Sequence, residues 1–305
     1  MAKTGEYLPK AYIRGSIVPY EEATLPLSTS ALQYGIGCFA GIRGYKQADG
    51  GLGIFRLADH AKRMAQSTQL LHFSKTITAS EIENKIIELA KANQPKTDTY
   101  IRPFYYKSDT NLGPSLTGEF DLGIYMLELD EYLDTAKGLS VGVSSWIRVP
   151  DHAIPARSKA TGVYINAALA IEEAAENGLD ASIMLDHQGN VTEGSVMNLF
   201  IVRDGKLITP ALGGDLLEGI TRRSIIELAD KMGIEVIERI VRRSELYAAD
   251  EAFFTGTATE VAWISAVDRR PVSQEVGPVT TRLKEAFSNV VRGSTKGSNS
   301  WLTII

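Results

Sequence analysis

Lys159 lies in the stretch Ser158-Lys159-Ala160-Thr161-Gly162-Val163-Tyr164, whose only other ionisable side chain is the neutral phenol of Tyr164. A lysine must shed its proton to attack a carbonyl, and a low-dielectric pocket favours the neutral amine. The small neighbours would also let a bulky planar cofactor approach. Against this stands the commoner case, a solvated lysine near a helix start. Glu193, in Thr192-Glu193-Gly194-Ser195, is the second candidate. A buried carboxylate facing a heterocyclic ring nitrogen keeps that nitrogen protonated and the ring an electron sink; in isolation a solvated turn glutamate is the commoner reading. Two segments could hold a phosphate. Glu218-Gly219-Ile220-Thr221 opens a helix, where free N–H groups and the dipole favour an anion. Thr255-Gly256-Thr257-Ala258-Thr259 follows the apolar run Ala252-Phe253-Phe254 and offers hydroxyls with close backbone approach. A threonine N-cap is usually only a cap, and neither segment fits the phosphate loop of nucleotide hydrolases. Arg63 could add a positive charge to the same anion, or be a solvated helix arginine.

These residues must be carried by strands and helices in alternation. In the first third, Ala11 to Val18 reads as a short strand, and Leu57, Ala61, Met64, Ala65 and Leu71 have helical spacing. Ser80 and Glu83 read as a capping box that opens a second helix with Ile82, Ile86, Leu89 and Ala90 on one face. Thr99 to Lys107 and Phe120 to Leu129 read as strands. Beyond an acidic, irregular stretch, Leu139 to Trp146 is strand-like and an alanine-rich helix runs from about Gly162 to Asn177, ended by Gly178. Ala181 to Leu185 is a strand leading into a turn. Asp204-Gly205 joins Asn198–Arg203 to Lys206–Thr209 as a hairpin. A helix from about Thr221 to Met232 ends at Gly233, and Ile234 to Val241 is strand-like. The Gly293 to Ser300 tail reads as loosely ordered, with Trp301 and Leu302 able to dock. The expectation is an α/β (α+β) chain: a small domain over 1–128, a connecting loop over 129–138 and a large domain over 139–305.

A length of 305 residues suits two hydrophobic cores better than one. A net charge of -5 gives no electrostatic reason to expect a nucleic-acid partner. One cysteine, Cys38, excludes an intrachain disulfide framework and fits a reducing compartment. No secretory signal and no apolar run long enough to span a bilayer are visible, so a cytoplasmic location away from membranes is expected. His60, His72, His152 and His187 are scattered singly, without metal-ligand spacing.

The anchors Ala31-Leu32-Gln33-Tyr34-Gly35, Phe39-Ala40-Gly41-Ile42-Arg43, Phe55-Arg56-Leu57 with His60 and Arg63, Tyr100-Ile101-Arg102-Pro103 and Ser144-Ser145-Trp146 come in order along the chain. So do Lys159 to Tyr164, Thr192-Glu193-Gly194 with Asn198-Leu199-Phe200, Gly219-Ile220-Thr221-Arg222, and Thr255 to Glu260. Together they resemble the branched-chain amino-acid aminotransferases, within the two-domain class IV pyridoxal-phosphate fold shared with D-amino-acid aminotransferases. The resemblance implies that Lys159 is the Schiff-base lysine and moves the proton between the substrate α-carbon and cofactor C4′. It implies that Tyr164 bonds the cofactor's phenolic oxygen and Glu193 its pyridine nitrogen. Arg63, Ile220, Thr221 and Thr257 would bind the phosphate, with Gly219 and Gly256 among the cofactor contacts. Phe39, Gly41, Tyr100, Arg102 and Tyr132 would line the substrate pocket, and the Thr257-Ala258 turn would receive the α-carboxylate. Tyr34 would reach the neighbouring subunit's pocket, making the active unit a homodimer at least. The implied reaction is a ping-pong exchange of an amino group between leucine, isoleucine or valine and 2-oxoglutarate. Arg102 would pair with the glutamate side chain.

The pattern departs from the family at three places. Ala40 stands where a glutamate is common, Leu129 where a tryptophan is common, and the loop Ser108 to Pro114 has Leu112 as its only large apolar residue. All three concern substrate rather than cofactor, so D-amino acids or (R)-primary amines remain alternative substrates. Aminodeoxychorismate lyase fits the helix and strand anchors less well. A non-catalytic vitamin-B6 carrier would not need Glu193, Tyr164 and Arg102 together, and a phosphotransferase lacks its phosphate loop.

Overall fold

The computed structural model describes residues 5–129, 137–295 and 300–305. The chain forms two compact units. One comprises Met1–Tyr132, Ser158–Gly162 and Asn289–Ile305, the other Leu133–Arg157 and Val163–Ser288.

Among the described residues, the sheet of the first unit has nine strands. Its main path runs Leu302–Ile304, Leu52–Phe55, Ile42–Lys46, Thr99–Lys107, Phe120–Glu128, Lys10–Ile13, Ser16–Pro19, each neighbour antiparallel. The helices Leu57–Leu70 and Ala79–Asn93 pack on each other and on this sheet. Ile82, Ile86 and Leu89, the apolar face read from helical spacing, are wholly buried among Ile42, Ile54, Ile101 and Met126. Alternation along Thr99–Lys107 buries Ile101 and Pro103 and leaves Tyr100, Arg102 and Phe104 half-buried on the other face. That alternation places two candidate substrate residues side by side.

The sheet of the second unit runs Val236–Arg239, Lys206–Pro210, Asn198–Arg203, Glu251–Gly256, Glu260–Val267, Leu139–Val143, Ala181–Leu185, Asn190–Gly194, Val241–Arg242. It is mixed. Lys206–Pro210 with Val236–Arg239 and Leu139–Val143 with Ala181–Leu185 are parallel pairs. Parallel neighbours need a crossover, and the helices Ile220–Lys231 and Tyr164–Glu176 supply these two. The expected mixed α/β architecture is thus present in both units. No helix among the described residues is long and apolar enough to cross a membrane.

Local differences from the sequence reading have identifiable causes. Ala11 to Val18 is not one strand but two, because Arg14 (φ 51) and Gly15 (φ 77) turn the chain into a hairpin. The capping box belongs to Thr78 and Glu81 rather than to Ser80 and Glu83; Thr78 accepts from the Glu81 N–H and Glu81 accepts from the Thr78 N–H at 2.8 Å. Both pairs have the same spacing, and the earlier one adds about half a turn of helix. Ile234 to Val241 breaks into Val236–Arg239 and Val241–Arg242 around the exposed Ile240. The helices Ser30–Tyr34 and Pro278–Val291 are additional to those the sequence spacing predicts.

The stretch read as one domain from 139 onward gives two segments to the first unit. Leu302–Ile304 adds an edge strand to Leu52–Phe55. Trp301 docks as expected, its carbonyl accepting from the Arg56 N–H at 2.7 Å and its ring lying 3.8 Å from the Arg56 guanidinium. The other segment, Ser158–Gly162, carries Lys159.

Candidate active site

In the first unit the Lys159 backbone is clamped on both sides. Its N–H donates to Ser67 Oγ at 3.2 Å, and its carbonyl accepts from the Phe39 N–H at 3.1 Å. Ala160 forms an antiparallel bridge with Cys38. Glycines permit this approach: a Cβ on Gly35 would lie 3.0 Å from the Gly162 Cα, and one on Gly37 would lie 3.2 Å from Thr161 Oγ1. Ser67 is fully buried on the helix Leu57–Leu70 and donates to the Arg63 carbonyl at 2.9 Å. Arg63 is half-buried one turn earlier on that helix. One serine therefore ties the lysine segment to the helix of the candidate phosphate arginine.

The Lys159 ammonium nitrogen is 5.3 Å from the centre of the Phe39 ring, and the Arg102 guanidinium is 4.5 Å from it. Arg102 also donates to the Tyr100 hydroxyl at 2.8 Å. Gly41 makes room for that hydroxyl, since a Cβ there would overlap it. Lys159, Phe39, Gly41, Tyr100 and Arg102 are thus together. Ala40, where a glutamate is common, is fully buried in the apolar core. The Tyr34 hydroxyl accepts from the Gly113 N–H at 2.8 Å, which ties it to the 108–116 loop. Tyr132 lies outside the described residues.

In the second unit Glu193 sits in the wholly buried strand Asn190–Gly194. Its Oε1 accepts from Arg148 Nε at 2.7 Å; its Oε2 accepts from Asn198 Nδ2 at 3.1 Å and from the Leu217 N–H at 3.3 Å. Gly194 packs against Phe254, whose ring a Cβ would meet at 2.8 Å. Asn198 donates in addition to the Leu217 carbonyl at 2.9 Å, which draws the segment before the helix Ile220–Lys231 toward Glu193. Gly219 is the N-cap of that helix, without a side-chain capping bond, and Ile220 and Thr221 are buried behind it. Gly256 ends the strand Glu251–Gly256, and Thr257 follows in the turn, half-buried, with Ala258 next to it. The Thr255 hydroxyl is buried without a hydrogen-bond partner. Thr255 pairs with Asn198 across the sheet and shares its face. Tyr164 begins the helix Tyr164–Glu176 and is half-buried.

Sequence reasoning assigns no role to Arg148, Ser67 or the Leu217 N–H. Arg148 lies just past Ser144-Ser145-Trp146 but is joined to Glu193 only by folding. Asn198 is visible in the sequence as an anchor without a partner.

The family model for amino-transferase class IV matches residues 37–267. A probable branched-chain-amino-acid aminotransferase of Aquifex aeolicus is 41% identical over 297 residues, covering 96% of each chain. The crystal structure of the branched-chain aminotransferase from the thermophilic archaeon Thermoproteus uzoniensis with norvaline superimposes with a TM-score of 0.93 at 38% identity, over 98% of this chain and 99% of that one. The T.th. branched-chain amino acid aminotransferase complexed with N-(5'-phosphopyridoxyl)-L-glutamate gives a TM-score of 0.92 at 38% identity, over 97% and 98% of the two chains.

Proposed function

We propose that this chain, which belongs to the class IV aminotransferase family, uses pyridoxal phosphate to move an amino group between branched-chain L-amino acids and 2-oxoglutarate. The observation that carries the reading is the buried Glu193 carboxylate with its three donors. A buried anion of this kind suits a protonated ring nitrogen. The norvaline bound to one relative and the phosphopyridoxyl-glutamate bound to another support both the cofactor and the substrate pair.

The residues fit the cofactor. The helix start at Ile220 has a glycine N-cap and no side-chain cap, as an anion site requires. The orphaned Thr255 hydroxyl is a further polar group on the face of Asn198. Ile220, Thr221 and Thr257 would hold the phosphate, with Arg63 adding charge and Gly219 and Gly256 allowing close approach. Tyr164 would bond the phenolic oxygen and Glu193 the ring nitrogen. Bound there, the cofactor supplies an aldehyde that links to amines and a ring that withdraws electrons from the substrate α-carbon.

The chain's own groups do the rest. Lys159 would carry the cofactor and, once its amine is free, move the proton between the substrate α-carbon and C4′ of the cofactor. Its clamped backbone limits where Nζ can reach. Phe39 and the Tyr100 ring give an apolar wall for a branched side chain, while Arg102 pairs with the carboxylate of glutamate. The Thr257-Ala258 turn would receive the α-carboxylate; Tyr132 keeps the substrate role that the family resemblance implies for it. The small domain over 1–128, the 129–138 connection and the cofactor-binding domain from 139 belong to the same proposal, apart from the two segments that pack with the first unit. So do a cytoplasmic location, supported by the lone buried Cys38, and a homodimer or larger homo-oligomer, with Tyr34 serving the neighbouring copy.

A half-reaction screen on the purified holoenzyme tests the reading. The cofactor spectrum is followed with L-leucine, L-isoleucine, L-valine, L-glutamate, D-alanine, D-glutamate and (R)-1-phenylethylamine supplied separately. Fast conversion with the four L-amino acids is expected. Conversion confined to the D-amino acids or the amine would overturn it.

A further inference from the structure

Arg148 and Glu193 form an ion pair whose side chains are only 10% and 6% exposed. Replacing such a pair by apolar residues is often neutral or stabilising, so stability alone is a weak reason for one. A lone carboxylate in the same place would tend to take up a proton rather than stay charged. A neutral acid cannot stabilise a protonated ring nitrogen. We propose that Arg148 is a positioning residue, holding the Glu193 carboxylate ionised and fixing its plane for the cofactor ring. This rests on the role of Glu193 given above.

The placement of Arg148 is built into the sheet. Its N–H donates to the Leu185 carbonyl at 2.8 Å, at the end of the strand Ala181–Leu185. That strand pairs antiparallel with the strand of Glu193, Met184 opposite Glu193. The planar guanidinium thus approaches Oε1 from a fixed frame. On the other side, Asn198 and the Leu217 N–H fix Oε2. Gly219 admits Asn198 there, since a Cβ on it would overlap Asn198 Oδ1. The carboxylate is therefore held at both oxygens, and of these three donors Arg148 alone carries a positive charge.

The test reconstitutes wild type, Arg148→Gln, Arg148→Lys and Glu193→Gln with pyridoxal phosphate labelled with 15N in the ring. The ring-nitrogen resonance, the cofactor affinity and the thermal midpoint are measured for each. Wild type is expected at the protonated position. Arg148→Gln should move the resonance toward the unprotonated position and weaken cofactor binding by roughly ten- to a hundredfold, the range outer partners commonly carry. Arg148→Lys, which keeps the charge but not the planar donor, should fall between the two. A lowered thermal midpoint with wild-type resonance and affinity in Arg148→Gln would reduce Arg148 to a structural role and overturn the proposal. Should Arg148→Gln not fold, wild-type resonance and affinity in Arg148→Lys would overturn it equally. An unchanged resonance in Glu193→Gln would instead sink the role of Glu193 itself, so the two failures are distinguishable.

Discussion

A methyl group on Gly41 would overlap the Tyr100 hydroxyl, the same hydroxyl that accepts from Arg102 at 2.8 Å. The obstruction is the far end of a side chain, so the fold can absorb Gly41→Ala by swinging the tyrosine ring. Arg102 would then lose its neighbour and its fixed direction. We expect kcat/KM for glutamate to fall roughly ten- to a hundredfold, the usual cost of misplacing a positioning group by about an ångström. Leucine, which has no second carboxylate, should lose much less. Steady-state kinetics with both donors decide this, and equal losses would argue against an Arg102–carboxylate contact. Gly41, Tyr100 and Arg102 are legible in the sequence only through family resemblance; composition says nothing of a glycine that faces a tyrosine on a strand distant in the chain. Lys159 is partly legible from its small, uncharged neighbours. Ser67 and Arg148 are not, because each acts on a residue far off in sequence.

Among the elements, the loop after Thr99–Lys107 is firmly staked. Lys107, 2% exposed, reaches the Asp109 carboxylate at 2.7 Å and the Thr117 carbonyl at 2.6 Å. Asp109 also accepts from Ser30 Oγ at 3.1 Å and the Glu119 N–H at 3.2 Å. Burial acts to raise the Asp109 pKa, but the bonds from Lys107, Glu119 and Ser30 outweigh it and hold the carboxyl below its ordinary value. A depressed folded pKa gives stability that is complete above the unfolded value and is lost as pH falls through the folded one. Asp109→Asn should cost about 3 kcal/mol at pH 7, near the lower end for breaking a buried pair, because Lys107 keeps the Thr117 carbonyl. The gap between wild type and variant should shrink as pH falls below about 4, where an aspartate begins to protonate. Denaturant titrations at pH 7 and about pH 3 measure it; a gap of the same size at both would remove Asp109 as the cause. The strand before this loop is legible to the residue from its aromatic and β-branched run. The helix Ser30–Tyr34 is not, being too short for helical periodicity to register. The hairpin at Arg14-Gly15 is hidden because apolar residues flank it on both sides.

For the whole molecule, apolar residues around Tyr34 are left in the open. Leu27, Leu32 and Leu112 are 85%, 63% and 89% exposed. They are neighbours through the bonds of one small region: Gln33 Nε2 donates to the Leu27 carbonyl at 3.5 Å, Leu32 shares the helix of Tyr34, and Gly113 beside Leu112 donates to the Tyr34 hydroxyl. Exposed leucines gathered in this way mark an association surface more often than a bare one, and the proposed homo-oligomer uses Tyr34 at the same place. The spacing of the sequence can show Leu112 as the only large apolar residue of its loop, but not that it stands in solvent beside Tyr34. Leu112→Asp separates the two possibilities. In a lone chain, a charge at an exposed loop tip changes stability by no more than about 0.5 kcal/mol. At a contact between copies it buries an unpaired carboxylate and costs far more. Sedimentation of the wild-type holoenzyme should give at least twice the 33.2 kDa chain mass. Leu112→Asp should move it toward the single-chain mass at micromolar concentration, with the thermal midpoint of the chain itself little altered, and activity should fall with the loss of the assembly. A variant that keeps the wild-type mass would show that this region is not where copies meet.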